Sequence, residues 1–284
     1  MSTIPVRLHD GTELTATVQG TGPAVLLAVR TKPYDDDTAE TMRQWGADPT
    51  LGRTLVDGLS DRYQVIAADY EGHRMAHPAP ETLTPDSIAA DFIAIADAVG
   101  VDRFAYYGYS WLALSGLQLA IRTARLSALV MGGFPPVDGP YESMLAVTRA
   151  AHKMANEPSV AQTPATDAIE PGDWDAVTVQ ADPAQTKQFV TLYEALQDFR
   201  DDLAQRGLTV PRLVFAGSED NIEYGALWGN TTVKIAEPIA QHRAELIIEG
   251  WDVELLPGLD HISAMHSQAA LPVLRRWLYK AVAS

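Results

Sequence analysis

Two short alternating runs open the chain, residues 4–9 and 13–18, separated by Asp10-Gly11. Period-two alternation around a glycine that tolerates positive φ predicts an antiparallel hairpin. The pattern then changes. Pro23 to Val29 (PAVLLAV) is apolar throughout, as a strand covered on both faces must be, and the same character returns at Tyr63–Tyr70, Arg103–Ser110, Ser127–Phe134, Arg212–Gly217 and Trp251–Leu256. These runs predict the parallel strands of a core sheet.

Between them the period lengthens to that of a helix. From Thr84, with Pro85 in the first turn, to just before Gly100, the apolar residues Ile88, Phe92, Ile95 and Val99 fall on one face, and cap, proline and glycine mark both ends. Residues 111–123, 236–249 and 268–282 read as further helices. A hairpin followed by β-α alternation predicts an α/β fold, a doubly wound and mostly parallel sheet with helices on both faces. The interval 135–209 breaks the alternation: it opens on Pro135-Pro136, carries Met144, Met154 and Trp174, and shows no strand pattern. It is expected to be a mainly helical cap inserted over the carboxyl edge of the sheet, with 1–134 and 210–284 forming the core, and ligands of open α/β sheets bind at that edge.

Composition narrows the chemistry. The chain has 284 residues, 46% apolar and 20% charged, which suits one large globular domain with an insertion. With no cysteine, disulfides, Cys-ligated metal sites and thiol nucleophiles are excluded. The 21 Lys and Arg against 37 Asp and Glu leave a net charge of −16, and no clustered basic run offsets it, so nucleic acid and anionic membranes are not expected partners. Met1 to Gly22 lacks the profile of a signal peptide and no apolar stretch approaches ~20 residues, so a cytoplasmic location is expected. The acidic run Asp35-Asp36-Asp37 reads as a solvated loop or helix start.

Gly108-Tyr109-Ser110-Trp111-Leu112 lies where a buried strand meets a helix. A serine on such a turn projects its hydroxyl from the sheet edge, beside backbone N–H groups and the positive end of the helix dipole. It needs a base, and the base needs an orienting carboxylate. Asp220 follows one core strand and His261 another, so both would emerge at carboxyl ends. Glu219, Glu223 and Asp260 compete with Asp220, and His266 competes with His261.

Taken together, the strand order, Gly108-Tyr109-Ser110-Trp111, Gly217-Ser218-Glu219-Asp220 and Gly258-Leu259-Asp260-His261 resemble the α/β-hydrolase superfamily, in the chain order nucleophile, acid, histidine. The resemblance covers nearly everything outside 135–209 and extends to Val65–His73, where the family usually carries an Asp and a Gly-His pair. It implies Ser110 as nucleophile, His261 as general base and then acid, and Asp220 as the group that orients it. It also implies an oxyanion hole from the N–H groups of Trp111 and Arg30. Three positions depart from the family pattern: Ala28-Val29 where His-Gly is common, Leu112 where a small residue is usual, and Arg74-Met75-Ala76 where Gly and Ser are common.

Pocket-lining candidates are Tyr109, Val29, Met144 and Trp174, with packing the first expectation for Tyr109 and Trp111. Arg30 could also offer its guanidinium to a substrate anion or pair with the nearby acidic run. His73 and His77 are four apart, but Pro78 and Pro80 argue against a regular helix there, so His73 is expected as a loop residue at the site entrance and no metal or other cofactor is expected. The function implied is hydrolysis of an ester, lactone or thioester of a small to medium apolar small-molecule substrate through an acyl-enzyme. A C–C bond hydrolase, acyltransferase, lyase or cyclase using the same residues is the first alternative, and a non-catalytic ligand-binding member of the fold is the second. Serine at the elbow argues against the branches whose attacking residue is Asp. A homodimer is compatible with the chain and oligomeric state stays open.

Overall fold

In the computed structural model, residues 1–157 and 181–282 are described. β1 (Ser2–Arg7) and β2 (Glu13–Gln19) form the hairpin, turning at Gly11 with φ 83°, and its apolar positions Val6 and Leu14 pair across the ladder. β3 (Ala24–Leu27), α1 (Asp36–Gln44), α2 (Leu51–Leu59) and β4 (Gln64–Ala68) follow. Next come α3 (Tyr70–Ala76), α4 (Pro85–Val99), β5 (Phe104–Tyr109), α5 (Trp111–Ala120) and β6 (Leu126–Gly132). Beyond β6 lie α6 (Tyr141–Asn156), α7 (Pro183–Glu194), α8 (Asp201–Ala204) and β7 (Arg212–Gly217). A hairpin of β8 (Asn221–Tyr224) and β9 (Thr231–Lys234), then α9 (Ala236–Gln241), α10 (Arg243–Ile248), β10 (Trp251–Leu256), α11 (His261–Met265) and α12 (Ser267–Ala281) complete the chain.

The main sheet has eight strands in the order β1-β2-β4-β3-β5-β6-β7-β10, antiparallel through β1, β2 and β4 and parallel from there on. Successive side chains on each central strand enter opposite cores, which is why the strands read as unbroken apolar runs. Leu26, Ile66 and Tyr106 pack with Ile88, Phe92 and Leu117 from α4 and α5. Val25, Val65 and Tyr107 pack on the other face with Leu55 and Leu59 of α2 and Leu274 and Leu278 of α12.

Where local signals agree, element and expectation coincide. α4 starts on a capping box between Thr84 and Ser87 and stops at Gly100, whose φ of 78° only glycine takes easily. Asp35 caps α1 by accepting the Thr38 N–H at 2.8 Å, so the acidic run is a helix start whose charge suits the dipole. The helix expected over 236–249 is instead two, broken at His242, and that over 111–123 ends at Ala120.

Residues 70–76 correct the reading of a loop. They form α3, capped by Asp69, and the prolines at 78 and 80 limit its end without preventing it. His73 therefore does not line an entrance: it is buried, 2.8 Å from Thr12 Oγ1. Beside it Arg74, fully buried, donates to Asp10 (2.8 Å) and Thr12 (3.0 Å), which ties α3 to the first hairpin.

Between β6 and β7, the helices α6 and α7 pack on one another. The buried Gln188 of α7 donates to the Arg74 carbonyl (3.1 Å) and accepts the Ala79 N–H (3.2 Å), while Thr191 donates to the Pro80 carbonyl (2.5 Å). α7 is thus docked on the segment that follows α3. Trp174 lies outside the described residues. Among the described residues no helix is long and apolar enough to cross a membrane.

Candidate active site

Three strand ends converge. The first is the turn from β5 into α5, where Ser110 has φ 57° and ψ −129°, a conformation costly for any residue with a Cβ. Its N–H is tied to the Gly132 carbonyl at 2.8 Å, which fixes the turn from the neighbouring strand. The close approach that such an elbow needs falls at Gly108, where a Cβ would meet the Leu112 carbonyl oxygen at 2.3 Å. Leu112 itself is accommodated because its side chain turns into the core and its carbonyl accepts the Tyr106 hydroxyl at 2.9 Å. As the first residue of α5, Trp111 has a backbone N–H with no acceptor inside the helix.

The ends of β7 and β10 are joined by their loops. Gly217 lies where a Cβ would meet the Leu259 carbonyl oxygen at 2.0 Å, so the 258–261 loop can cross directly over the end of β7. Ser218 donates its N–H to the Leu256 carbonyl, Glu219 to the Leu259 carbonyl (both 2.9 Å), and Gly258 donates to Ser218 Oγ at 2.8 Å. This places the fully buried Asp220 against His261, whose Nδ1 lies 2.9 and 3.0 Å from the two carboxylate oxygens. An ionised carboxylate can only accept, so a neutral imidazole paired with one in this way donates from Nδ1 and keeps the Nε2 lone pair.

The competitors are elsewhere. Glu219 and Glu223 are exposed. Asp260 caps α11 through the Ser263 N–H (2.8 Å), and His266 bonds the Gly46 carbonyl.

Ser110 and His261 line one cavity of about 100 Å³. Among the described residues, Phe134, Pro140, Met144 and Tyr193 line it, together with Ile222, Tyr224, Val233 and Ile235 from the second hairpin. Tyr109 is beneath the site: its hydroxyl donates to the His261 carbonyl at 2.8 Å and its ring lies 5.2 Å from the imidazole, so it braces the histidine. Burial first, and then the Asp220 charge, hold its phenol far above the usual range, so it stays a neutral donor. Val29 packs in the α2–α12 core rather than on this cavity.

Arg30 stands in the loop after β3, its carbonyl pressed so closely on α2 that Gly52 cannot carry a Cβ. Its guanidinium is engaged: it donates to Asp69, the cap of α3 (3.2 Å), and to the Lys32 carbonyl (3.0 Å), and lies 4.6 Å above the Tyr34 ring. The carboxylate it meets is that of Asp69, not one of the Asp35–Asp37 run. Glu71 stands close to His73, His77 and Asp69 in the sequence, a grouping that only superficially resembles a metal cluster. Neighbouring protein pushes its carboxyl upward, with Asp69 adding to the effect and the Trp111 indole opposing it. Among the described residues no group of three or more His, Asp or Glu side chains is arranged to hold a metal ion.

No family model matches the chain. The putative carbamate hydrolases RutD of Klebsiella pneumoniae (strain 342) and Klebsiella variicola (strain At-22) are 36% identical to it over 75 residues, 26% of this chain and 28% of theirs. The chain thus matches little more than a quarter of the length of these curated relatives. Solved structures superpose over the whole chain. A thermophilic esterase from Thermogutta terrifontis does so with a TM-score of 0.63 at 18% identity, covering 99% of both chains. The enol-lactonase from Burkholderia xenovorans LB400 gives 0.64 at 21% identity over 96% of this chain and 99% of that one. A serine hydrolase of carbazole degradation gives 0.59 at 19% identity over 98% and 99%. Sheet order, crossover helices and these superpositions agree that the chain has the α/β-hydrolase fold.

Proposed function

We propose that the protein is a serine hydrolase that cleaves an ester, lactone or thioester of an apolar small molecule through an acyl-enzyme on Ser110. The observation that carries this reading is the arrival of a buried Asp220–His261 pair at the same cavity as a serine held at φ 57°. A turn strained by about 1–3 kcal/mol persists only where its surroundings enforce it, and here it lifts the hydroxyl out of the sheet edge. The names of the superposed structures, an esterase, an enol-lactonase and a serine hydrolase, point the same way.

In this mechanism His261 Nε2 takes the Ser110 proton as Oγ bonds to the carbonyl carbon, and the imidazolium is stabilised by Asp220 at Nδ1. Charge on the carbonyl oxygen is met by the Trp111 N–H at the start of α5 and by the loop at Arg30, the second donor we assign. Collapse breaks the carbon–oxygen or carbon–sulfur bond, and His261 hands its proton to the leaving group. Water, deprotonated by His261, then attacks the acyl carbon; the acyl–Oγ bond breaks, the acid is released, and His261 returns the proton to Ser110 Oγ. Turnover of p-nitrophenyl esters tests the reading: Ser110→Ala and His261→Ala are each expected to lose at least ~1000-fold in kcat/KM, and undiminished turnover in either variant refutes it.

A further inference from the structure

The acid of the pair sits at the root of an element that β-α alternation does not call for. Directly after Asp220 the chain runs out as β8, passes through a short helical turn at Ala226–Trp228, and returns as β9 with Val233 paired to Ile222. The return ends on the acid itself. The Asp220 carbonyl accepts the N–H groups of Ile235 (3.2 Å) and Ala236 (2.7 Å), and Asn221 Oδ1 accepts that of Ile235 at 3.0 Å. α6 packs against β9 and against the helical turn, so the hairpin is fixed at its root and along one side. Residues two apart on a strand share a face. Ile222 and Tyr224, with Val233 and Ile235, therefore present one apolar face, and all four line the cavity that holds Ser110 and His261.

Size then limits the occupant. An apolar cavity of about 150 Å³ accepts benzene, whereas this one measures about 100 Å³. Beyond Ser110 and His261 its described lining residues are hydrocarbon apart from the Met144 sulfur and the Tyr193 and Tyr224 hydroxyls, so the guest that suits it is a short hydrocarbon chain rather than a charged group. During turnover the alcohol or thiol leaves and water must reach the same carbon, so the part of the substrate that can occupy a confined space throughout is the acyl chain, which stays bonded to Ser110.

We propose that the β8–β9 hairpin is the end wall of an acyl-chain pocket and restricts the enzyme to esters and thioesters of short apolar acids, about two to four carbons long. This rests on Ser110 being the nucleophile. Two ester series test it, one varying the acyl chain from two to ten carbons on a fixed p-nitrophenyl group, the other varying the alcohol on a fixed butanoate. In the wild type kcat/KM is expected to fall at least tenfold between four- and eight-carbon acyl chains and to change less than threefold along the alcohol series. Ile222→Ala and Val233→Ala are expected to move the acyl optimum two or more carbons longer, whereas Leu227→Ala, 55% exposed in the hairpin's connecting turn, leaves it in place. Alkylboronic acids on the wild type need no variant: propylboronic acid is expected to inhibit at least tenfold more tightly than the octyl compound.

Equal or better turnover of eight- to ten-carbon chains, a steep dependence on the alcohol instead, an acyl optimum unmoved in both alanine variants, or tighter octylboronic acid each overturn the hairpin's role while leaving Ser110 as nucleophile. Ester turnover that survives Ser110→Ala removes the underlying reading instead.

Discussion

Ser110 occupies backbone space that favours glycine, and this has a consequence for stability separate from catalysis. Ser110→Gly relieves the Cβ strain, while Ser110→Ala keeps it, so the glycine variant is expected to be more stable than the alanine variant by about 1 kcal/mol, read as a difference of a few degrees in thermal melts. Asp220→Asn leaves the packing in place but offers the imidazole an amide that can force the wrong tautomer; kcat is expected to drop ~1000-fold or more with KM little changed. His73 gives a pH signature. Burial first, then the Arg74 and His77 charges, push its imidazole down to about 4 from an ordinary 6.5. Between those values the unfolded chain binds a proton that the folded chain does not, so this histidine's stabilising share is present above pH 6.5 and is lost as pH falls toward 4. Comparison of melts at pH 7 and 4.5 should show wild type losing more stability than His73→Gln.

Elements whose ends carry their own chemistry were legible. For α4, Thr84, Pro85 and Gly100 mark the boundaries before any fold is known, and Thr84→Ala is expected to cost about 1 kcal/mol in denaturant melts. The core strands were legible because burial on both faces leaves no polar position to confuse the pattern. α3 was not, because Tyr-Glu-Gly-His-Arg has no apolar stripe: its inward face is filled by Tyr70, His73 and Arg74, satisfied by partners 61 to 64 residues away in the first hairpin and by Asp91. The β8–β9 hairpin was hidden for a related reason. Its strands are four residues each and only one face is apolar, so Asn221–Lys234 reads as loop until the cavity it walls is seen. Asp220 is legible as a candidate because its place after β7 is a matter of chain order.

Across the whole molecule the −16 charge acts on substrates before any contact is made. Arg30, in the loop after β3, is bound up with Asp69, Lys32 and Tyr34, so it does little to offset that field. An ester bearing a carboxylate on its acyl part is therefore expected to show a low kcat/KM that rises severalfold between about 0.01 and 0.5 M salt, while a neutral ester of the same length changes little. Equal salt response for the two would remove the electrostatic argument. The central claim, however, is chemical, and intact-protein and peptide mass spectrometry after reaction with a fluorophosphonate tests it most directly. The account predicts a single adduct on Ser110, absent in Ser110→Ala and formed much more slowly in His261→Ala; an adduct on another residue, or one that persists in Ser110→Ala, would contradict it.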